Sequence, residues 1–154
     1  DKEITSLNED KRAQIRSKDV GFVFQSFHLL PRLSALDNVM MPLEILGAKD
    51  AKERALKALD EVGLSKRTGH VPHQLSGGEK QRVAIARAMV KAPSILFADE
   101  PTGNLDQSST DNILELLLGI NKQTKTTLVV VTHDQQLASR SDMVFELQEG
   151  KLKC

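Results

Sequence analysis

Three stretches of the chain are apolar almost without interruption: the run ending "KDVGFVFQ" at Gln25, with Val20, Phe22, Val23 and Phe24; "SILFAD", Ser94 to Asp99; and "TTLVVVTH", closing at His133. Continuous rather than alternating apolar runs of this length predict strands buried on both faces. Between the first and second runs the spacing becomes helical. One helix is predicted from Ser34 through Leu46, bent near Pro42 and closed by Gly47. A second is predicted after an Asp50 cap, with Ala51, Ala55, Leu56, Leu59 and Val62 on one stripe and Gly63 as its stop. A helix begins at Gly78, "SSTDNILELLLGIN" (Ser108 to Asn121) forms another, and "DMVFELQEGKL" reads as a final strand ending in a turn. Strand, helix, strand with apolar strands implies an α/β fold, in which a parallel sheet is covered by helices and joined by a right-handed crossover. The two helices after Gln25 read as a helical subdomain inserted into it.

Ser76-Gly77-Gly78-Glu79 has the S-x-x-E spacing of a capping box. The box explains Ser76 and Glu79. Each glycine in the first turn of a helix costs roughly 1 kcal/mol relative to alanine, so the pair calls for a close approach to bare backbone. A helix start with unpaired amides and no Cβ atoms suits an anion, phosphate above all, and on four residues the two readings stand about level. The strand ends add to the second. Ligands of open parallel sheets bind beyond the carboxyl ends of the strands, and the three apolar runs end in Gln25, in Asp99-Glu100 and in His133. Taken singly, Asp99 could open a turn and His133 could be structural; two adjacent carboxylates closing an apolar strand need a cation or a proton.

Composition removes several classes. The 154 residues suffice for one domain with a core, and Lys+Arg and Asp+Glu are both 21, so no basic field argues for nucleic acid. The single cysteine, Cys154, excludes a disulfide framework or thiolate cluster and fits a reducing cytosol. Apolar runs such as "LVVV" are far shorter than the ~20 residues that span a bilayer.

"LSGGEKQR", followed by "ILFADEPTGNLD" and "VVVTHD", resembles the nucleotide-binding subunit of an ATP-binding cassette (ABC) transporter, with five motifs in order over essentially the whole chain. "GFVFQSFHLLPRLSALDNVMMPL" further resembles the branch of lipoprotein-releasing, macrolide-exporting and cell-division ATPases. The resemblance implies a P-loop NTPase-type sheet, divided as core up to the Q-loop (1–25), helical subdomain and signature helix (26–91), and core with Walker B, D-loop and H-loop (92–154). It implies ATP and Mg²⁺ as ligands. Gln25 corresponds to the Q-loop glutamine, sensing metal and water. Ser76, Gly77, Gly78 and Glu79 correspond to the signature that reaches the nucleotide of a head-to-tail partner, and Asp106 to the D-loop aspartate. Asp99 corresponds to the Mg²⁺ residue, Glu100 to the general base and His133 to the switch histidine on the γ-phosphate side. Further implications are a second ATPase subunit, a membrane permease docked on the region after Gln25, and a place on the cytoplasmic face of the inner membrane. A chromosome-maintenance ATPase is disfavoured because only about fifty residues, without sustained heptads, separate Gln25 from the signature. A non-catalytic interaction module has no use for Glu100 and His133.

One family feature is absent from these residues: the sequence holds no G-x-x-x-x-G-K-[ST] phosphate loop, and its only Gly-Lys pair is Gly150-Lys151. The expectation is a chain cut before that loop, inactive alone, with strand edges and core surface left uncovered. Such a chain should self-associate; light-scattering chromatography at tens of micromolar should show no sharp monomer peak.

Overall fold

The structure, a computed structural model, describes residues 3–153 apart from the side chain of Gln136; Asp1 and Cys154 lie outside the described residues. Helix α1 (Glu9–Asp19) leads directly into β1 (Val20–Phe24), and α2 (Ala35–Ile45) and α3 (Ala51–Glu61) follow. Next come α4 (Gly77–Met89), β2 (Ile95–Asp99), α5 (Gln107–Thr124) and β3 (Thr127–Val131), then a short α6 (Gln135–Ala138) and strands β4 (Glu146–Gln148) and β5 (Lys151–Lys153). Strands β1, β2 and β3 form one parallel sheet in that order. The α/β reading therefore holds.

The register aligns Phe24, Asp99 and Val131 in one row. Side chains alternate across a strand, so Gly21, Val23, Leu96, Ala98, Leu128 and Val130 share one face and Phe22, Phe24, Phe97, Asp99, Val129 and Val131 the other. The first face meets the core: Val23, Leu96 and Ala98 are at most 1% exposed. The second is open, with Phe22 40% and Val131 57% exposed and the Phe22 ring stacked on Phe97 at 5.5 Å. This corrects the expectation of strands covered on both faces. Helices pack on one side, and on the other the phenylalanines cover one another.

Helix α4 is the centre of the core. Val83, Ala84, Ile85, Ala86 and Ala88 are buried along it, and it packs on β1, α2, α3 and α5. Gly21 sets its approach to the sheet: a Cβ there would stand 2.9 Å from Leu96 Cδ1 and 3.0 Å from the Ala88 carbonyl oxygen. Helix α2 starts on a full capping box between Ser34 and Asp37, contains Pro42, and is followed by Gly47 at φ +73°; Gly63 ends α3 at φ +75°.

Three readings need correction, and one helix lies outside the predicted elements. Asp50 occupies the N-cap of α3 but its side chain makes no capping hydrogen bond; the carboxylate lies 3.8 Å from Arg54 instead. Leu56 lies off the buried stripe, 40% exposed. The terminal strand is an antiparallel hairpin, β4 with β5, turning at Glu149 and Gly150 outside the main sheet. Helix α1 escaped the periodicity because it buries no residue; its support is an Asn8 cap on the Lys11 amide, acidic Glu9 and Asp10 at its start and basic Arg16 and Lys18 at its end.

Gly21→Ala should lower stability by about 1–3 kcal/mol, the range for overpacking a filled core. Urea unfolding should show a lower midpoint at unchanged slope.

Candidate active site

The parallel register delivers Gln25, Glu100 and Thr132 just beyond three neighbouring strand ends, with His133 one residue further. Glu100 and His133 meet directly. One carboxylate oxygen of Glu100 lies 2.7 Å from His133 Nδ1 and accepts from the His133 amide at 3.1 Å; the other accepts from the Thr132 hydroxyl at 3.4 Å. Glu100 adopts φ +43°, in the left-handed region unfavourable for a side chain with a Cβ. Its amide donates to the Val131 carbonyl at 2.9 Å and its carbonyl accepts from Gly103 at 3.1 Å, which hold that conformation. The carboxylate is a quarter exposed while the imidazole is 84% exposed. Its hydrogen bond to Glu100, then the carboxylate charge, raises the pKa of His133 above the ordinary value.

Asp99 ends β2 on the open face, exposed, its carboxylate without a hydrogen bond or ion pair among the described residues. Gln25 does not reach the carboxylates through any hydrogen bond. Its amide donates to Asn104 Oδ1 at 3.3 Å, and the Asn104 amide returns a bond to the Gln25 carbonyl at 3.1 Å. Gly103 permits this clasp, since a Cβ there would stand 2.7 Å from Gln25 Nε2. Among the described residues no three His, Cys, Asp or Glu side chains gather as a metal cluster. Any cation here would rest on the Asp99 carboxylate, the Gln25 amide oxygen, water and a phosphate ligand, a donor set that suits Mg²⁺.

The Ser76 box is complete. Ser76 Oγ accepts from the Glu79 amide at 3.2 Å and Glu79 accepts from the Ser76 amide at 2.9 Å. Arg67 closes on the same glutamate at 2.9 Å, and the Ser76 amide first, with Arg67 adding to it, holds the Glu79 carboxyl below its usual pKa. Gly77 and Gly78 have an intramolecular reason to be bare. A Cβ on Gly77 would lie 3.2 Å from Leu105 Cδ2, and one on Gly78 3.1 Å from Ser109 Oγ. The loop after β2 thus lies against the first turn of α4. Asp106 caps α5, accepting from the Ser109 amide at 2.9 Å and from the Ser108 and Ser109 hydroxyls at 2.7 Å; those bonds, Ser108 first, hold its carboxyl far below the usual range. Ser76, Gly78, Arg82, Ser109 and Asn112 line a polar depression of about 280 Å³ beside the signature.

Residues outside the quoted motif roles also build the site. Asn104 sits inside the run "PTGNLD", so its position was visible, but its partner Gln25 is 79 residues away and only the sheet joins them. Thr132 was visible as a hydroxyl closing an apolar strand. Gln81 and Arg87 were hidden in the amphipathic pattern of α4: Gln81 is fully buried, and Arg87 donates to the carbonyls of Phe27 and His28.

Residues 1–103 match the family described as "ABC transporter". The chain belongs to the ABC transporter family. It is 53% identical over 148 residues to the lipoprotein-releasing system ATP-binding protein LolD of Legionella pneumophila, covering 95% of this chain and 65% of that protein. It is 51% identical to the uncharacterized ABC transporter ATP-binding protein YbbA of Escherichia coli, over 96% of this chain and 66% of that protein. The chain thus spans about two thirds of the length of these relatives. Among solved structures, the dimeric ATP-binding cassette MJ0796 in a post-hydrolysis state with ADP and Pi superposes with a TM-score of 0.83 at 40% identity, covering 97% of this chain and 67% of that one. The sheet, α4 and the strand-end loops accordingly have the architecture of an ABC cassette.

Glu100→Gln should bring the His133 pKa down towards its ordinary value, followed by NMR titration of the imidazole. Because the folded-state pKa is raised, the stability this pair contributes is complete below the unfolded value, near 6.5, and is lost as pH rises through the folded one. Asp106→Ala should lower the melting temperature more than Asp106→Asn, which keeps an acceptor oxygen but not the charge. The deficit of both variants should begin to shrink below about pH 4 and go on shrinking as pH falls towards the depressed folded-state pKa.

Proposed function

We propose that the chain forms the catalytic part of a Mg²⁺-dependent ATPase subunit of an ABC transporter, acting as a head-to-tail pair on a membrane permease. The observation that carries this is the free Asp99 carboxylate beside a Glu100 carboxylate held by the His133 ring and amide at the end of a parallel sheet. Phosphoryl transfer needs positioning and charge neutralisation rather than covalent help; the strand ends supply the first, and a cation on Asp99 with protonated His133 would supply the second. Asp99, with Gln25 near it in the strand-end row, would hold Mg²⁺, which neutralises phosphate charge when bound. Glu100 is the base for the attacking water. His133 in its charged form carries two N–H donors, one on Glu100 and one free for a phosphate oxygen. An imidazolium on Glu100 also weakens that base, so a phosphate that draws His133 away frees the carboxylate for water.

Ser76, Gly77, Gly78 and Glu79 would serve the nucleotide held by the second subunit: Ser76 Oγ accepts within its own helix, which leaves its O–H to donate outward. Asp106 anchors the loop beside them. The region after Gln25 would receive the permease, and the pair would sit on the cytoplasmic face of the inner membrane; among the described residues no helix is long and apolar enough to cross a bilayer. Likeness to LolD favours lipoprotein release as the transported work. The division at 25 and 91 is part of the same reading.

ATP hydrolysis should be measured for this chain and for a version extended through a phosphate-binding loop, each beside Glu100→Gln. The extended chain should turn over, and the substitution should lower kcat by roughly 10²–10⁴. Glu100-dependent hydrolysis by the 154-residue chain itself would show that the phosphate loop is dispensable.

A further inference from the structure

Gln81 lies on the inner face of α4, fully buried. Its Nε2 donates to the Pro101 carbonyl at 2.6 Å, across 20 residues of chain. Its Oε1 has no hydrogen-bond partner. Turning the amide over would place oxygen against oxygen, so the observed orientation is the only one that bonds Pro101. A buried acceptor without a partner is destabilising. Methionine or leucine would fill the same space and remove that orphan acceptor, but would take from the Pro101 carbonyl its bond to Gln81, so what the amide serves is Pro101.

What the amide holds is the residue after the proposed base. Pro101 is itself fully buried and fixes its own φ through its ring, and it follows Glu100 at φ +43°. Strand β3 holds the Glu100 amide and Gly103 holds the Glu100 carbonyl. The Pro101 carbonyl is the next point along the chain, and Gln81 is its partner.

We propose that Gln81 is a positioning residue for Glu100: through Pro101 it fixes the left-handed turn that presents the carboxylate to His133. This rests on the reading of Glu100 as the base and adds a physical link, since Gln81 stands two residues after Glu79 on the signature helix. The strand end that would serve one nucleotide is thereby braced by the helix that would serve the other.

The test needs no nucleotide, so its failure leaves the ATPase reading intact. The His133 amide proton donates to Glu100, and its NMR shift in the full chain reports where that carboxylate stands. Gln81→Met should displace the His133 amide resonance in the direction produced by Glu100→Ala, and adding Gln81→Met to Glu100→Ala should move it no further. A resonance left in place by Gln81→Met, or displacements that add in the double variant, would overturn the proposal. So would failure of both Gln81→Met and Gln81→Leu to fold, because the amide would then be required for the core itself.

Discussion

The distance at which the α4 backbone can pass its neighbours governs the rest of the molecule. Gly21 admits the Ala88 carbonyl and Leu96, the alanines at 84, 86 and 88 keep the buried face thin, and Gly77 and Gly78 admit Leu105 and Ser109. Larger groups at these points would move α4 away from the sheet, and with it everything that α4 ties down. Long side chains bind what the backbone brings near. Arg82 reaches the Val62 carbonyl at the end of α3, and Arg54 of α3 returns to the Val90 carbonyl at the end of α4. These bonds satisfy helix-terminal carbonyls with cations, where both the lone pairs and the helix dipole favour them.

At the strand ends the same economy of space turns into chemistry. A parallel sheet ends its strands at one level, and here that level carries an amide, two carboxylates and an imidazole on neighbouring strands. The carboxylates are adjacent in sequence yet differ in surroundings: Asp99 points to the open face without a partner, while Glu100 is bent back by its left-handed torsion onto His133. One sequence pair thus yields a free ligand and a held base, and backbone conformation separates them.

Much of this was legible beforehand. The three sheet strands, the helix start at Ser34, the cap at Ser76 and the stops at Gly47 and Gly63 follow local rules of turn and helix chemistry, and the structure realises them. Periodicity failed at α1, because a helix that buries nothing carries no stripe, and at Leu56, because a stripe read on a wheel does not know where the neighbouring helix ends. The apolar runs taken alone read as covered on both faces; the uncovered core surface expected from the missing phosphate loop is found on the second face, where Phe22 stacks on Phe97 yet stays 40% exposed. In the site, the residue types and their order were legible, whereas the Gln25–Asn104 clasp and the Glu100–His133 contact join residues 79 and 33 positions apart and exist only once the strands are in register. The intramolecular packing of Gly77 and Gly78 was invisible for the same reason.

Beyond Gln25 the chain passes through two consecutive left-handed residues, Phe27 at φ +61° and His28 at φ +47°. Neither has a glycine's freedom, and each such torsion costs of order 1 kcal/mol or more. The carbonyls of both are gripped by one guanidinium, Arg87, at 2.9 and 2.6 Å. One side chain of α4 therefore sets the path of the backbone just after the strand end, and the two strained torsions and the two bonds that hold them stand or fall together. The contour of the surface after Gln25 is in this sense written by the helix beneath it.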